Sequence, residues 1–516
     1  MAPTNSHAVV RGVAAGLVSA AAGLGVASLV TGLLGGGDSP IVSVGNAFID
    51  ATPRWLKELA IDVFGQNDKR ALLVGIYLTV GLLAALVGVL AQRYRKQGVA
   101  IVLLVGLVPA AAALTRPTAQ LGDAVPAVVG AVAAAGFLWV LSAPMPAAGS
   151  GDVGTSPAAT TSALSRRAFL TLAAVAGAVA VTAGAIGREL SRARLDVERL
   201  RASLRLPVPA SPARTLPASV DVPGVTPYLT PTSSFYRIDT ALRVPVIDSD
   251  TWRLRIYGMV EHEESYSFDD LLDMPLVERD VTLTCVSNEV GGDLVGNARW
   301  LGVPLEPLLD DVRPDSEAQQ VVSRSVDGMT IGTPLAALTD GRDAMLAVGM
   351  NGEPLPVEHG FPVRMVVPGL YGYVSACKWL SDLEITTFDA YDAYWVQRGW
   401  AQQAPIKLSS RIDTPRPGSS ASAPVRVGGV AWAQHVGVAG VEIRVDDGAW
   451  QQAELAADAG IDSWRLWSWT WEDATTGTHA LSVRATDRDG TLQSGTATDP
   501  FPAGATGWHT VSVTVR

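Results

Sequence analysis

Long apolar runs alternate with short polar breaks over the first third of the chain. Val9 to Leu34, Ala71 to Ala91, Val99 to Leu114 and Ala124 to Ala143 are built mostly from Ala, Gly, Val and Leu. A fifth run begins after Arg166-Arg167 and ends near Gly187. A helix needs roughly 20 apolar residues to cross a bilayer, so the pattern predicts about five transmembrane helices in residues 1–190. A signal peptide is the other reading of the first run, but no clear cleavage site ends it and more spans come after it. Ile41 to Gly65 mixes apolar residues with Trp55, Lys57, Glu58 and Asp62, the texture of an amphipathic interfacial segment. Arg93, Arg95 and Lys96 crowd the break between the second and third runs, which puts that break and the N-terminus on the cytoplasmic side.

The pattern then changes twice. A polar linker, Ala147 to Ala163, precedes Ser165-Arg166-Arg167-Ala168-Phe169-Leu170, which resembles an internal twin-arginine export signal. The other reading is two positive charges ahead of a fifth span. Both keep Arg166 and Arg167 cytoplasmic and place the chain beyond Arg188 outside. Residues 191–227 read as a tether, with a charged helix over Arg188 to Leu204 and a Pro-rich stretch from Pro207 to Pro227. Residues 228–406 interleave strands (Trp252 to Tyr257, Val281 to Thr284, Arg364 to Val367) with short helices (Phe268 to Leu272, Pro304 to Leu309), an α+β domain. Residues 407–516 hold short alternating runs such as VRVGGVAWA, VEIRVDDGAW and HTVSVTVR between Gly, Asp and Pro turns, the signature of a β-sandwich.

Composition agrees with a membrane part joined to a soluble part. Over 516 residues the mean hydropathy is +0.25 although 17% of residues are charged. The net charge of -11 leaves no basic footprint for nucleic acid. Two cysteines exclude a disulfide scaffold. A single Cys285–Cys377 bridge is one reading outside the cytoplasm. Cys285 also ends the buried-looking run Val281 to Thr284, where a Gly-rich loop begins. It reads either as a small buried apolar residue or as a thiolate held on a rigid strand and open to a ligand from the loop side.

Resemblance extends this reading. Cys285, with Asn288 three residues on, the Gly-rich loop and GNARWLGVPLEPLL resemble the molybdenum-ligand segment of the sulfite oxidase family. FYRIDT (Phe235 to Thr240) and HGFPVRMVVPGLYGYVSACKWL (His359 to Leu380) are similar to that family's pterin-binding segments, in the same order. VGGVAWAQHVGVAGVEIRVDDGAWQQAEL looks like its C-terminal dimerisation domain, which implies an immunoglobulin-like fold and a possible homodimer. The resemblance implies one molybdenum–molybdopterin per chain, with the Cys285 thiolate as the soft protein ligand to the metal. It implies a pterin cradle of Phe235, Tyr236, Arg237, Asp327, His359, Arg364, Ser375 and Lys378. Arg237, Asn288, Arg299 and Trp400 join Cys285 as the residues expected at the reaction centre.

The chain departs from the family where sulfite would sit. Cys285-Val286-Ser287-Asn288-Glu289-Val290 replaces the family's Cys-Ala-Gly-Asn-Arg-Arg. Trp400 stands for a pocket tyrosine, and Ala433-Gln434-His435-Val436 for a region carrying another arginine. The expectation is two-electron oxygen-atom transfer on a small molecule less charged or bulkier than sulfite. Sulfite oxidation and the reduction of an S-oxide, as with oxidised methionine, are the named alternatives. No haem is expected: of six histidines only His7 lies near an apolar run. Electrons would pass to or from an external haem protein or quinone-linked partner. The reading from another class is a cofactor-free envelope adhesion protein.

Overall fold

The structure, a computed structural model, describes residues 6–34, 39–53, 56, 59–60, 63–64, 67–115, 119, 121–144, 165–193, 197–216, 219–242 and 244–516. Two compact units emerge, bounded by Met1–Asp196 with Ala241–Arg243 and by Val197–Thr240 with Val244–Arg516.

The first unit is helical: α1 (Ser6–Leu34), α2 (Pro40–Ala51), α3 (Asp68–Arg93), α4 (Arg95–Leu114), α5 (Val125–Leu141) and α6 (Arg166–Ala193). Helix α1 packs against α3, α5 and α6, with Ala15, Ala22 and Ala27 buried along it. Five helices, Ala8–Leu34, Asp68–Arg93, Arg95–Leu114, Leu121–Leu141 and Arg166–Leu190, are long and apolar enough to cross a membrane. They coincide with the five apolar runs. Two boundaries differ from expectation. The third helix starts at Arg95 instead of Val99, so only Tyr94 separates α3 from α4. Arg188 does not open a new helix, because α6 continues through it to Ala193. In both places Arg, Lys, Gln, Glu and Leu are good helix formers and no proline interrupts them. Trp55, Lys57, Glu58, Asp62 and the linker over Ala147 to Ala163 lie outside the described residues.

The second unit starts with α7 (Val197–Ser203) and a Pro-rich segment, in which Ser211 bridges to Val277. Its strands β1 (Arg253–Gly258), β2 (Glu264–Ser267), β3 (Val277–Thr284), β4 (Val295–Pro304) and β5 (Gln320–Ser325) are followed by β6 (Thr330–Pro334), β7 (Met345–Met350), β8 (Glu353–Pro354), β9 (Arg364–Val366) and β10 (Leu380–Thr386). One sheet runs β2-β1-β10-β5-β6. The other runs β3-β4-β7-β8, with β9 added on β7.

The two helices of this region form for local reasons. Ser267 caps α8 (Phe268–Leu272) by a capping box: its Oγ accepts from Asp270 N at 3.1 Å while Asp270 Oδ2 accepts from Ser267 N at 2.7 Å. Helix α9 (Leu305–Val312) buries Leu305, Leu308, Leu309 and Val312, one face at helical spacing, and ends on Arg313 in a left-handed conformation. Strand β3 buries each of Val281, Thr282, Leu283 and Thr284, as its unbroken sequence run suggests.

The C-terminal strands form two sheets. The first comprises β11 (Ser409–Thr414), β13 (Val425–Trp432), β16 (Glu454–Leu455) and β17 (Arg465–Trp471), ordered β11-β13-β17-β16. The second comprises β12 (Ser419–Ala421), β14 (Val438–Val445), β15 (Gln451–Gln452), β18 (Gly477–Asp487) and β19 (His509–Val515), ordered β12-β19-β18-β14-β15. Val427 and Trp467 of the first share a buried core with Val441, Val483 and Val513 of the second. This β-rich region also shares the core of the α+β part through Val430, Trp432, Trp464 and Leu466. Thr282 of β3 is one seam: its carbonyl accepts from Gln434 Nε2 at 2.7 Å and its Oγ1 accepts from Trp464 N at 2.7 Å.

Candidate active site

Strand β3 ends at Thr284, paired with Val295 of β4, and the next residue is Cys285. Its backbone N–H donates to Leu294 O at 2.9 Å, closing the loop at its base. Burial pushes the Cys285 thiol up, while hydrogen bonds from Ser287 oppose that shift. Both cysteines are free, so the Cys285–Cys377 bridge does not form here.

The thiol faces a cavity with roughly 980 Å³ of empty space, part of it open to solvent. Three separated segments converge on it. Phe235 packs over Gly296 of β4, where a Cβ would come within 2.8 Å of the ring. There it meets Trp300 and His359 edge-on, at 5.9 Å and 5.6 Å, and stacks on Tyr236 at 5.2 Å. Strand β9 presents Arg364, and the turn before β10 presents Lys378 and Trp379.

Arg364 is 5% exposed. Its Nη1 donates to His359 O at 3.2 Å, its guanidinium lies 4.8 Å from the Trp300 ring, and its buried Nε has no partner. Burial pushes Arg364 down to about 10. Burial likewise pushes Lys378 down to about 8, against the pull of Asp239, whose Oδ2 lies 2.8 Å from Nζ. Burial and the nearby Arg364 and Lys378 push His359 down to about 4, so it is neutral at pH 7. The cavity therefore presents two buried cations and a neutral imidazole beside a thiol.

Eight of the expected residues line this space: Phe235, Tyr236, Cys285, Asp327, His359, Arg364, Lys378 and Trp400. Arg237, Asn288, Arg299 and Ser375 do not. The Arg237 guanidinium turns to Asp239, with Nε–Oδ2 at 2.7 Å. Asn288 Oδ1 accepts from Leu294 N at 2.8 Å, stapling the loop instead of facing a substrate. Arg299 grips Asp280 with Nε and Nη2 at 2.7 and 2.9 Å. The fully buried Ser375 hydroxyl faces the carbonyls of Leu370 and Tyr371, each at 3.0 Å. Glu289 and Val290 line a separate small cavity with Asn288 and Tyr371, and His435 pairs with Asp462 at 2.8 Å.

Sequence reasoning missed Asp239, Tyr373 and Trp395. Asp239 lies inside FYRIDT, and its link to Lys378 joins two motifs that were read separately. Trp395 and Tyr373 flank Trp400, at 6.5 Å and 5.9 Å between ring centroids, and Tyr373 Oη donates to Ala401 O at 2.6 Å. The aromatic density of YDAYWVQRGW was the available signal.

Residues 241–395 match the family described as oxidoreductase molybdopterin binding domain. The chain is 33% identical over 153 residues to the uncharacterized oxidoreductase YuiH of Bacillus subtilis, covering 30% of this chain and 74% of that protein. It is 32% identical over 289 residues to mitochondrial sulfite oxidase of Mus musculus, covering 46% of this chain and 52% of that one. The chain belongs to the sulfite oxidase family of molybdopterin oxidoreductases. It spans about half the length of the sulfite oxidases it matches. The sulfane dehydrogenase SoxCD of Paracoccus pantotrophus aligns at 24% identity with a TM-score of 0.47, over 52% of this chain and 75% of that one.

The cavity fits this family's cofactor. Among the described residues no three His, Cys, Asp or Glu side chains gather as a metal cluster. One thiol suits a metal that arrives with sulfur ligands of its own. The partnerless Arg364 Nε and the Lys378 ammonium suit the anionic and hydrogen-bonding edges of a pterin.

Proposed function

We propose that this sulfite oxidase family member is a membrane-anchored molybdopterin oxidoreductase that transfers an oxygen atom to or from an uncharged substrate outside the cytoplasm. One observation carries the reading: a single cavity is lined by the Cys285 thiol, by Arg364 and Lys378, and by Trp395 and Trp400. Cys285 would ligate the metal. Arg364, Lys378, His359, Asp327, Tyr236 and Phe235 would hold the pterin. When bound, molybdenum–molybdopterin supplies the two-electron couple for oxygen-atom transfer. The protein's own contribution is placement and selection. Tyr373 fixes the segment bearing Trp400, and the indoles give a wall for an apolar or flat group. An S-oxide, an N-oxide or the reduced counterpart of either fits such a wall. Small-molecule turnover of this kind needs an electron partner, which we place among external haem proteins or quinone-linked carriers.

Charge argues against sulfite. Among the described residues the lining cations are Arg364 and Lys378, both assigned to the pterin, whereas Arg237 and Arg299 are turned to carboxylates. Each missing charge-assisted bond of ~1.5–3 kcal/mol weakens anion binding roughly tenfold or more. Steady-state kinetics of molybdenum-loaded protein with an artificial electron carrier are therefore expected to give poor saturation by sulfite and turnover within a panel of sulfoxides and N-oxides. A micromolar KM for sulfite with rapid turnover would restore sulfite oxidation, the activity for which the mouse relative is named.

The extracytoplasmic placement is supported by the five long apolar helices, by Arg93, Arg95 and Lys96 at the tight α3–α4 break, and by Arg166-Arg167 at the start of α6. A C-terminal fusion to a reporter active only outside the cytoplasm is expected to be active. A fusion active only inside is expected to be silent, and the reverse pattern would overturn the orientation. Molybdenum analysis separates this reading from an adhesion protein, which would hold no metal.

A further inference from the structure

The loop carrying Cys285 is tied within itself. Asn288 N donates to Cys285 O at 3.0 Å and Gly292 N to Glu289 O at 2.9 Å, in addition to the Asn288–Leu294 staple. Its tip is held by other parts of the chain. Arg411 of β11 donates from Nη1 to Gly292 O at 2.8 Å, from Nε to Asp413 Oδ1 at 2.6 Å and from Nη2 to Thr226 Oγ1 at 3.0 Å. Asp413 Oδ2 in turn accepts from Thr226 N at 3.0 Å. The Arg411 and Asp413 side chains are only 11% and 7% exposed. His509 of β19 presses on the neighbouring Gly291, which has φ +78; a Cβ there would come within 2.2 Å of the imidazole Cδ2. His509 Nδ1 accepts from Ile412 N at 3.0 Å, so the ring is fixed with its proton on Nε2. Burial and Arg411 hold His509 below its ordinary range, which keeps it in this accepting form.

A buried guanidinium is costly unless its donors are satisfied. Here one of its three bonds goes to a carbonyl in the loop that begins with the thiol. We infer that Arg411 and His509, from the C-terminal β-rich region, are positioning residues: they fix the tip of the Cys285 loop and thereby set where the thiolate stands in the cavity. The inference rests on the reading of Cys285 as the metal ligand. It gives the C-terminal strands a part in the site that does not depend on dimerisation or on a side chain reaching the substrate. A small displacement of a reacting group is enough to matter, since misplacement by about 1 Å can cost on the order of 100-fold in rate.

The test uses the full molybdenum-loaded chain in detergent and compares wild type with Arg411→Met, Arg411→Lys and His509→Ala. Amide hydrogen exchange over residues 285–294 is read alongside the Mo(V) paramagnetic resonance spectrum. In Arg411→Met the loop amides are expected to exchange about 10- to 100-fold faster, the range for one lost charge-assisted bond, while β10 keeps its protection. The Mo(V) signal is expected to shift, and Arg411→Lys to recover part of both effects. His509→Ala is expected to act in the same direction, and it carries the test if Arg411→Met does not fold. Unchanged loop exchange in the folded variants overturns the inference. So does faster exchange with a wild-type Mo(V) signal. Cys285→Ser is the separate control: an unaltered spectrum there would defeat the ligand assignment itself, whatever the loop does.

Discussion

Cys285→Ser is expected to abolish turnover while leaving the fold intact. The two side chains are nearly the same size, the bonds to Leu294 and Asn288 use the Cys285 backbone, and a serine oxygen can accept the bonds that Ser287 gives the sulfur. The chemistry differs sharply. A thiolate is a soft, polarisable donor suited to a redox metal, whereas a serine hydroxyl is hard and stays protonated at neutral pH. Burial already pushes the Cys285 thiol up, so a bound cation is what would make the thiolate stable here. A hydroxyl in the same place would gain far less from that cation. The measurements are oxygen-atom transfer with an artificial electron carrier, molybdenum content, and thermal unfolding. Full activity in the variant would sink the ligand assignment; a collapsed melting transition would show that the sulfur is needed for packing instead.

Arg364→Met is expected to move two observables in opposite directions. Without the cofactor, Arg364 is a buried cation with an unsatisfied Nε, a poor arrangement that costs stability. Methionine fills a similar volume without charge, so the cofactor-free variant is expected to melt at the same temperature as wild type or higher. Cofactor retention is expected to fall at least about tenfold, because a charge-assisted bond of ~1.5–3 kcal/mol is lost. Lys378 adds a pH dependence to the same measurement. Burial holds it down to about 8, so above that pH the cofactor-free cavity has lost the ammonium charge. Binding an anion there must then be coupled to proton uptake, and retention is expected to weaken as pH rises through about 8. Metal and pterin content after dialysis at pH 7 and pH 9 check the sign. Equal retention at both, or an Arg364→Met protein that keeps its full cofactor, would remove these cations from the cradle.

Much of this site was legible because its residues sit in short motifs whose order along the chain survives folding. Cys285 at the end of a buried run, and His359, Arg364 and Lys378 in one segment, were readable for that reason. Arg299 lies away from the cavity because its partner is set by register. Asp280 stands directly opposite it across the β3–β4 ladder, a neighbour that cannot be seen without the pairing. Asn288 and Ser375 lie in the right loops, but their side chains complete backbone hydrogen bonds there. Glu289 and Val290 come soon after the thiol in sequence, yet the loop turns them towards another space. Nothing local tells that Arg411 reaches Gly292, since 119 residues separate them. The five apolar helices were readable because their signal is compositional; their ends were less so, because good helix formers carry a helix past its apolar stretch.

The seam at Thr282 has a consequence in time. Its partner Trp464 lies 182 residues further along the chain. At a synthesis rate of about 5–20 residues per second, that partner emerges roughly 10–40 s after the strand that bears Cys285. During that interval the cavity lacks the β-rich region that pins its cysteine loop, while the apolar helices have already left the ribosome. Cofactor offered to the nascent chain would meet an unfinished cradle. Loading into a finished cradle is therefore expected only after Trp464 has emerged and this seam has closed.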